Sequence, residues 1–188
     1  MSQKVRKVVI PVAGMGTRFL PVTKSVPKEL LPVGTKPILQ IVIEEAAASG
    51  VEEIILVTSP EKAGIWDYFR NGTSYDLHLN GINKGYLLEG LRSIIESVKF
   101  TPAVQEEPKG LGHAILCAKE AVGDEPFLVI LPDVIIDSAV PCCAQLISAY
   151  ERTGCAVNAT EHTPKSHLHL YGIYDIASSE GRFHRARG

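Results

Sequence analysis

The chain has 188 residues, 45% of them apolar and 21% charged, which fits one globular domain that buries a core without a disulfide scaffold. Nineteen basic against 21 acidic residues give a formal net charge of −2, which excludes a strongly basic nucleic-acid binder but leaves room for a local basic pocket. The longest apolar runs, such as residues 127–131, fall far short of the ~20 residues of a membrane span. No signal-peptide stretch follows the charged N-terminus, so a cytoplasmic protein is expected.

Residues 5–12 are β-branched and run into glycines, which predicts a strand. Residues 13–32, with their prolines, glycines and charges, predict a loop. Pro37 opens a helix whose apolar face is Leu39, Val42, Ile43 and Ala46, stopped by Ser49-Gly50. Residues 54–58 predict a second buried strand, followed by Ser59 as an N-cap and Pro60 as the first-turn proline of a helix toward Arg70. Residues 71–84 are polar and glycine-rich and predict a long loop. Leu87, Leu91, Ile94, Ile95 and Val98 recur at helical spacing, and 101–105 predicts a strand. Leu111, Ile115, Ala118 and Val122 form the stripe of another helix, closed by Gly123. Residues 127–131 carry the strongest strand signal, without alternation, as expected when both faces are buried. A helix over 141–152 and strands over 155–160 and 171–176 complete the pattern.

Strands alternating with helices imply right-handed crossovers and an α/β fold: a mostly parallel sheet with helices on both faces. Ligands in such sheets bind beyond the carboxyl ends of the strands, so the loops after Val12, Gln105 and Leu131 are the ones to read. Cys117, Cys142, Cys143 and Cys155 form no C-x-x-C pair and read as buried or half-buried thiols of a reducing compartment. His162, His167 and His169 cluster without a further ligand type at metal spacing and read as ordinary surface or core histidines.

The first loop places Gly14 and Gly16 directly after a strand, where backbone N–H groups can turn toward an anion. Arg18, Lys24 and Lys28 follow, a fork and two compact charges suited to a polyphosphate. The P-loop pattern is absent, and Phe19 stands where a dinucleotide fingerprint needs its third glycine. In the second loop the Gln105 amide offers one acceptor and two donors, a set that reads the edge of a pyrimidine, and Gly110 allows close backbone approach. In the third, Asp133 follows the strand expected to be most buried. A carboxylate there needs a partner or a metal, and magnesium favours one or two carboxylates with phosphate oxygens and water. A turn or helix cap is the other reading of Asp133, and Asp137 reads as structural.

The run Gly14-Met15-Gly16-Thr17-Arg18-Phe19-Leu20-Pro21, with Thr23-Lys24 and Pro27-Lys28-Glu29-Leu30-Leu31-Pro32, resembles the signature of the sugar-1-phosphate nucleotidylyltransferases. Lys36-Pro37, Lys109-Gly110-Leu111-Gly112-His113-Ala114 and Leu131-Pro132-Asp133-Val134 extend the resemblance in the same order, over essentially all of residues 4–188. It implies a Rossmann-like nucleotidyltransferase fold, a three-layer sandwich, here as one domain over 1–188. It implies transfer of UMP from UTP to glucose 1-phosphate, giving UDP-glucose and pyrophosphate with Mg²⁺. A thymidylyltransferase and a nucleotide-binding module without transfer activity are the alternatives. By resemblance, Arg18 and Lys28 are catalytic, and Ala13, Gly14, Gly16 and Thr17 bind substrate together with Gln105 and Gly110. Gly172 packs against the sugar, and Asp133 holds the metal. Partners are then UTP and glucose 1-phosphate, without nucleic acid or membrane, and full-length members form homo-oligomers. Family members continue past Gly188 with a Glu-Lys-Pro segment, a second metal-binding aspartate and assembly helices. The sugar-binding and assembly part is therefore expected to be incomplete here.

Overall fold

The computed structural model describes residues 3–187, so Met1 and Ser2 of the N-terminal stretch, and Gly188, lie outside it. The chain divides into two compact units, one through Val157 and one from Asn158.

In the first unit, β1 (Lys7–Pro11) leads through a small antiparallel ladder, β2 (Pro32–Val33) and β3 (Lys36–Pro37), into helix α1 (Ile38–Ala48) and strand β4 (Glu53–Thr58). Three helices follow, α2 (Ala63–Tyr68), α3 (Ser74–Gly81) and α4 (Glu89–Ser97), then β5 (Lys99–Val104). Helices α5 (Leu111–Cys117) and α6 (Lys119–Val122) precede β6 (Phe127–Val129), and α7 (Cys142–Thr153) closes the unit. The second unit holds one antiparallel pair, β7 (Ile176–Glu180) and β8 (Phe183–Ala186).

The main sheet runs β5-β4-β1-β6, all parallel. Period-two geometry sends alternate side chains to opposite faces. Val8 and Ile10 of β1, with Ile54 and Leu56 of β4, pack on one side against Leu39, Val42, Ile43 and Ala46 of α1, Ile65 of α2, Ile94 of α4 and Cys143 of α7. Val9, Ile55 and Val57 point the other way, onto Ala114, Ala118 and Val122. The two central strands are covered on both faces, which explains their unbroken β-branched sequence. This is the expected α/β architecture, with helices on both faces of a parallel sheet.

Several local expectations fail, each for a physical reason. Residues 71–84 are no simple loop: α3 starts there on a capping box, in which the Thr73 hydroxyl accepts from the Asp76 N–H and the Asp76 carboxylate accepts from the Thr73 N–H. A capping pair nucleates this helix without an apolar stripe. Ser59 makes no capping bond; a 3-10 turn over Pro60–Lys62 precedes α2 and delivers Lys62 inward. In α5 and α6 the buried stripe is Ala114, Ala118 and Val122, whereas Leu111 is exposed, because small alanines let the helix approach Val9 and Ile55 closely. The run 127–131 is not the most buried strand. Only three residues pair, with β1 alone among the described residues, and Phe127 and Leu131 are each 39% exposed at the sheet edge. Residues 155–160 are irregular and largely exposed, and 171–175 are irregular too, so Gly172 precedes the strand that begins at Ile176. Extended propensity there has no core face to pack on. Among the described residues, no helix is long and apolar enough to cross a membrane.

Candidate active site

Parallel strands put all four carboxyl ends on one edge of the sheet. The chain runs outward from β1 to β4 and β5, then returns to place β6 on the other side of β1. The order therefore reverses between β1 and β6, and the loops after those two strands flank the resulting crevice.

The loop after β1 is held from below. Val12 donates its N–H to the Val57 carbonyl at 2.9 Å, extending the ladder past the strand. Its own carbonyl accepts from Lys62 Nζ at 2.7 Å. Lys62 also pairs with Glu29 Oε2 at 2.8 Å, and Glu29 is only 1% exposed. Burial pulls the Lys62 pKa down and the Glu29 carboxylate pulls it back up, with burial the larger effect. Glu29 Oε1 is sealed without a partner, so the pair is incompletely compensated. Lys62 thus ties the start of the glycine loop to the turn over Lys28–Leu30.

Above this floor, Ala13 is buried and Gly14 is open, with free space where a side chain would stand. Gly16 adopts a left-handed conformation (φ 65°, ψ 33°) and starts the 3-10 turn Thr17–Phe19. A Cβ at Gly16 would stand 3.2 Å from the Lys28 Cβ and 3.2 Å from the Thr23 methyl, so both backbone angle and space require glycine. Thr23 donates its hydroxyl to the Gly16 carbonyl at 2.9 Å and pins the turn. Thr17 and Arg18 lie exposed on that turn.

Across the crevice, Asp133 sits in a tight turn closed by the Val134 N–H on the Leu131 carbonyl. Lys28 Nζ meets Asp133 Oδ2 at 3.0 Å, which joins the first and third loops directly. The carboxylate is about half exposed, at 51%, and the lysine 22%.

The second loop is arranged by hydrogen bonds. Gln105 is buried, and its N–H continues the β5–β4 ladder onto the Thr58 carbonyl at 2.8 Å. Its side-chain Nε2 donates to the Gly110 carbonyl at 3.1 Å and faces His113 Nδ1 at 2.9 Å. Gly110 (φ 92°, ψ 179°) caps α5 in a conformation open essentially to glycine alone.

The structure therefore brings Gly16, Lys28 and Asp133 together and places Gln105 with Gly110. Ala13, Gly14, Thr17 and Arg18 follow in the same first loop, and Gly172 belongs to the second unit. Sequence reading assigned nothing to His113 or Lys62 and no role to Glu29. His113 stands three residues after Gly110, on the first turn of α5, where it faces the Gln105 side chain. A buried lysine such as Lys62 leaves no mark in sequence.

The parallel sheet, with Lys28 and Asp133 beside its switch point, defines an α/β protein with charged loops at its strand ends. The chain belongs to the nucleotidyl transferase family, whose model matches residues 7–184. It is 43% identical over 185 residues to the UTP–glucose-1-phosphate uridylyltransferase of Bacillus subtilis, a match covering 98% of this chain and 63% of that protein. A UDP-glucose pyrophosphorylase solved with UDP-glucose superposes with a TM-score of 0.85 at 36% identity, over 97% of this chain and 67% of the other. A UTP-bound UGPase from Acinetobacter baumannii superposes with a TM-score of 0.84 at 39% identity, over 94% and 63%. The chain thus spans less than two thirds of the length of the curated relatives it matches.

Proposed function

We propose that this chain binds UTP at the crevice between β1 and β6 and belongs to a cytoplasmic enzyme that transfers UMP to glucose 1-phosphate, releasing pyrophosphate. The observation that carries this reading is the Lys28–Asp133 pair beside Gly16. Without substrate, a cation suited to phosphate and a carboxylate suited to a metal neutralise each other. A metal-bound triphosphate would give each a better partner: Lys28 the phosphate oxygens, Asp133 the ion.

The residues present fit Mg²⁺ in a particular way. Among the described residues there is no cluster of three or more His, Cys, Asp or Glu arranged for a metal, so no all-protein cage is built. Asp133 Oδ2 is engaged by Lys28, and the half-exposed carboxylate has its other oxygen to offer. One carboxylate completed by phosphate oxygens and water is an ordinary magnesium arrangement. The ion supplies charge neutralisation on the triphosphate.

The transfer needs no protein nucleophile. A phosphate oxygen of the sugar phosphate attacks the α-phosphorus in line, and the bond to the bridging oxygen breaks as pyrophosphate leaves. Positioning and charge stabilisation do the work. Backbone N–H groups of Gly16 and Thr17 face the phosphates, and Arg18 receives the pyrophosphate charge. Lys28 spans the attacking phosphate and the α-phosphate. Backbone at Ala13 and Gly14, with Gln105 and Gly110, holds the uracil. Similarity to the B. subtilis and A. baumannii proteins supports the nucleotide and the sugar phosphate.

A second reading, a UTP-binding module without transfer, is favoured by the lack, among the described residues, of a group of three or more metal-ligating side chains. Incubating the chain with UTP, Mg²⁺ and glucose 1-phosphate, with pyrophosphate release and UTP binding both measured, separates the two. Pyrophosphate release is the expected result. Binding without release establishes the module, and absence of binding overturns both. Lys28→Ala is expected to lower transfer by about 10²–10³-fold, typical of a lost charge-stabilising group. Because its ion pair is partly exposed, folding stability should change by no more than about 1 kcal/mol. Equal activity in the folded variant would remove Lys28 from the mechanism.

A further inference from the structure

The Gln105 side chain has only one chemically consistent orientation. The atom 3.1 Å from the Gly110 carbonyl oxygen must be a donor, so it is Nε2. The second hydrogen of that amide faces His113 Nδ1 at 2.9 Å. Nδ1 must therefore be a bare acceptor, with the imidazole proton on Nε2. The Cys117 thiol, 3.8 Å from the same Nδ1, is a weak donor and agrees with this tautomer. Both amide hydrogens are thus engaged within the protein. Gln105 Oε1 has no hydrogen-bond partner among the described residues and is not a sealed atom, since Glu29 Oε1 alone has that status. Turning the amide over would set Oε1 against the Gly110 oxygen, a clash that no change of imidazole tautomer relieves. Sliding it aside is resisted by the backbone bond to Thr58.

We infer that His113 is a positioning residue that fixes the carbonyl end of the Gln105 amide toward the ligand, so that this side chain accepts a hydrogen bond from the nucleobase and cannot donate one. This rests on the assignment of Gln105 to the base in the reading above. The base must then offer a ring N–H, as uracil and thymine do at N3. Cytosine presents a bare N3 there, and two lone pairs would meet. Preference for uridine over cytidine nucleotides is set by a histidine that need not touch the base. The same geometry gives UTP and dTTP equal standing at this atom, because they share that edge.

The test is nucleotide binding by the full chain, by calorimetry with UTP, dTTP and CTP, on the unmodified protein, His113→Asn and His113→Leu. The unmodified chain should prefer UTP over CTP by at least about tenfold. His113→Asn keeps an acceptor near the Nδ1 position and should hold that preference to within about twofold. His113→Leu should lower it about three- to tenfold, mainly through loss of UTP affinity. Absence of UTP binding in the unmodified chain overturns the nucleotide reading itself. UTP binding with an unaltered preference in His113→Leu overturns only the role of His113. Equal binding of UTP and CTP by the unmodified chain overturns the acceptor edge. Nitrogen-15 shifts of the unmodified chain give a readout independent of whether the variants fold. A bare Nδ1 on His113 is expected, and a protonated Nδ1 would overturn the assignment.

Discussion

Two corners of the candidate site are built from different materials. At the first corner, Gln105 Nε2 reaches the Gly110 carbonyl at 3.1 Å and His113 Nδ1 at 2.9 Å, and hydrogen bonds do the organising. At the second corner, charges do the organising: a buried pair, Lys62–Glu29, lies beneath, and a partly exposed pair, Lys28–Asp133, lies on top. Neutral hydrogen bonds fix atoms in orientation, which suits discrimination between bases. Ion pairs in contact with water exchange partners at little free-energy difference, which fits the proposed handover of Asp133 to a metal and of Lys28 to a phosphate. Burial divides the ionic corner again, because only the lower pair is shielded from solvent.

The contrast breaks most sharply at Lys62. Lys62→Ala would leave the Glu29 carboxylate buried with neither oxygen paired and free the Val12 carbonyl. A loss of about 3–5 kcal/mol is expected, read by chemical denaturation with and without UTP. A loss below about 1 kcal/mol would show that the lower pair is no more structural than the upper one. Gly16→Ala sharpens the comparison from the backbone side. A left-handed alanine costs about 1–2 kcal/mol, and its methyl would press on Lys28. Melting temperature and UTP affinity should therefore fall together, whereas a drop in melting temperature alone would uncouple the turn from the site. The smallest effect is expected far from both corners, at the α3 cap. Thr73→Ala removes the capping hydroxyl at a cost of about 1 kcal/mol and should leave nucleotide affinity unchanged. Acid should mimic it. Hydrogen bonds from the Thr73 hydroxyl and backbone, then from Arg92, hold the Asp76 pKa below its ordinary value. The folded pKa being the lower one, the contribution is full above the ordinary aspartate range and is lost as pH falls through the depressed value. Hydrogen exchange of the α3 amides at decreasing pH checks this, and unchanged protection through that range would remove Asp76 from the cap.

How legible this was depended on how local each cause is. The faces of α1, β1 and β4 could be read because burial on a regular element repeats with its own period, as with Leu39, Val42, Ile43 and Ala46. The edge position of β6 could not, because strand order is decided by which segments pair and not by any one segment. Helix α3 was hidden because its cause is a reciprocal pair, Thr73 and Asp76, within a polar stretch. In the site, Gly14, Gly16, Arg18, Lys28, Gln105 and Asp133 stood out as motifs. Their mutual geometry did not: Lys28 and Asp133 are 105 residues apart, and Lys62 resembles any surface lysine until the fold buries it. His113 lies inside the Lys109–Ala114 motif, yet its meaning rests on an amide eight residues earlier.

Strand order also sets a timetable. Because β1 lies between β4 and β6, it finds one neighbour as Glu53–Thr58 is made but waits for Phe127–Val129 before its other side is paired. Throughout that interval of synthesis, Lys7–Pro11 presents an open hydrogen-bonding edge next to a crevice that has no third loop. A nascent chain halted before β6 would carry the glycine turn and its cations without the carboxylate opposite, so the Lys28–Asp133 pair forms only once β6 and the turn after it have emerged.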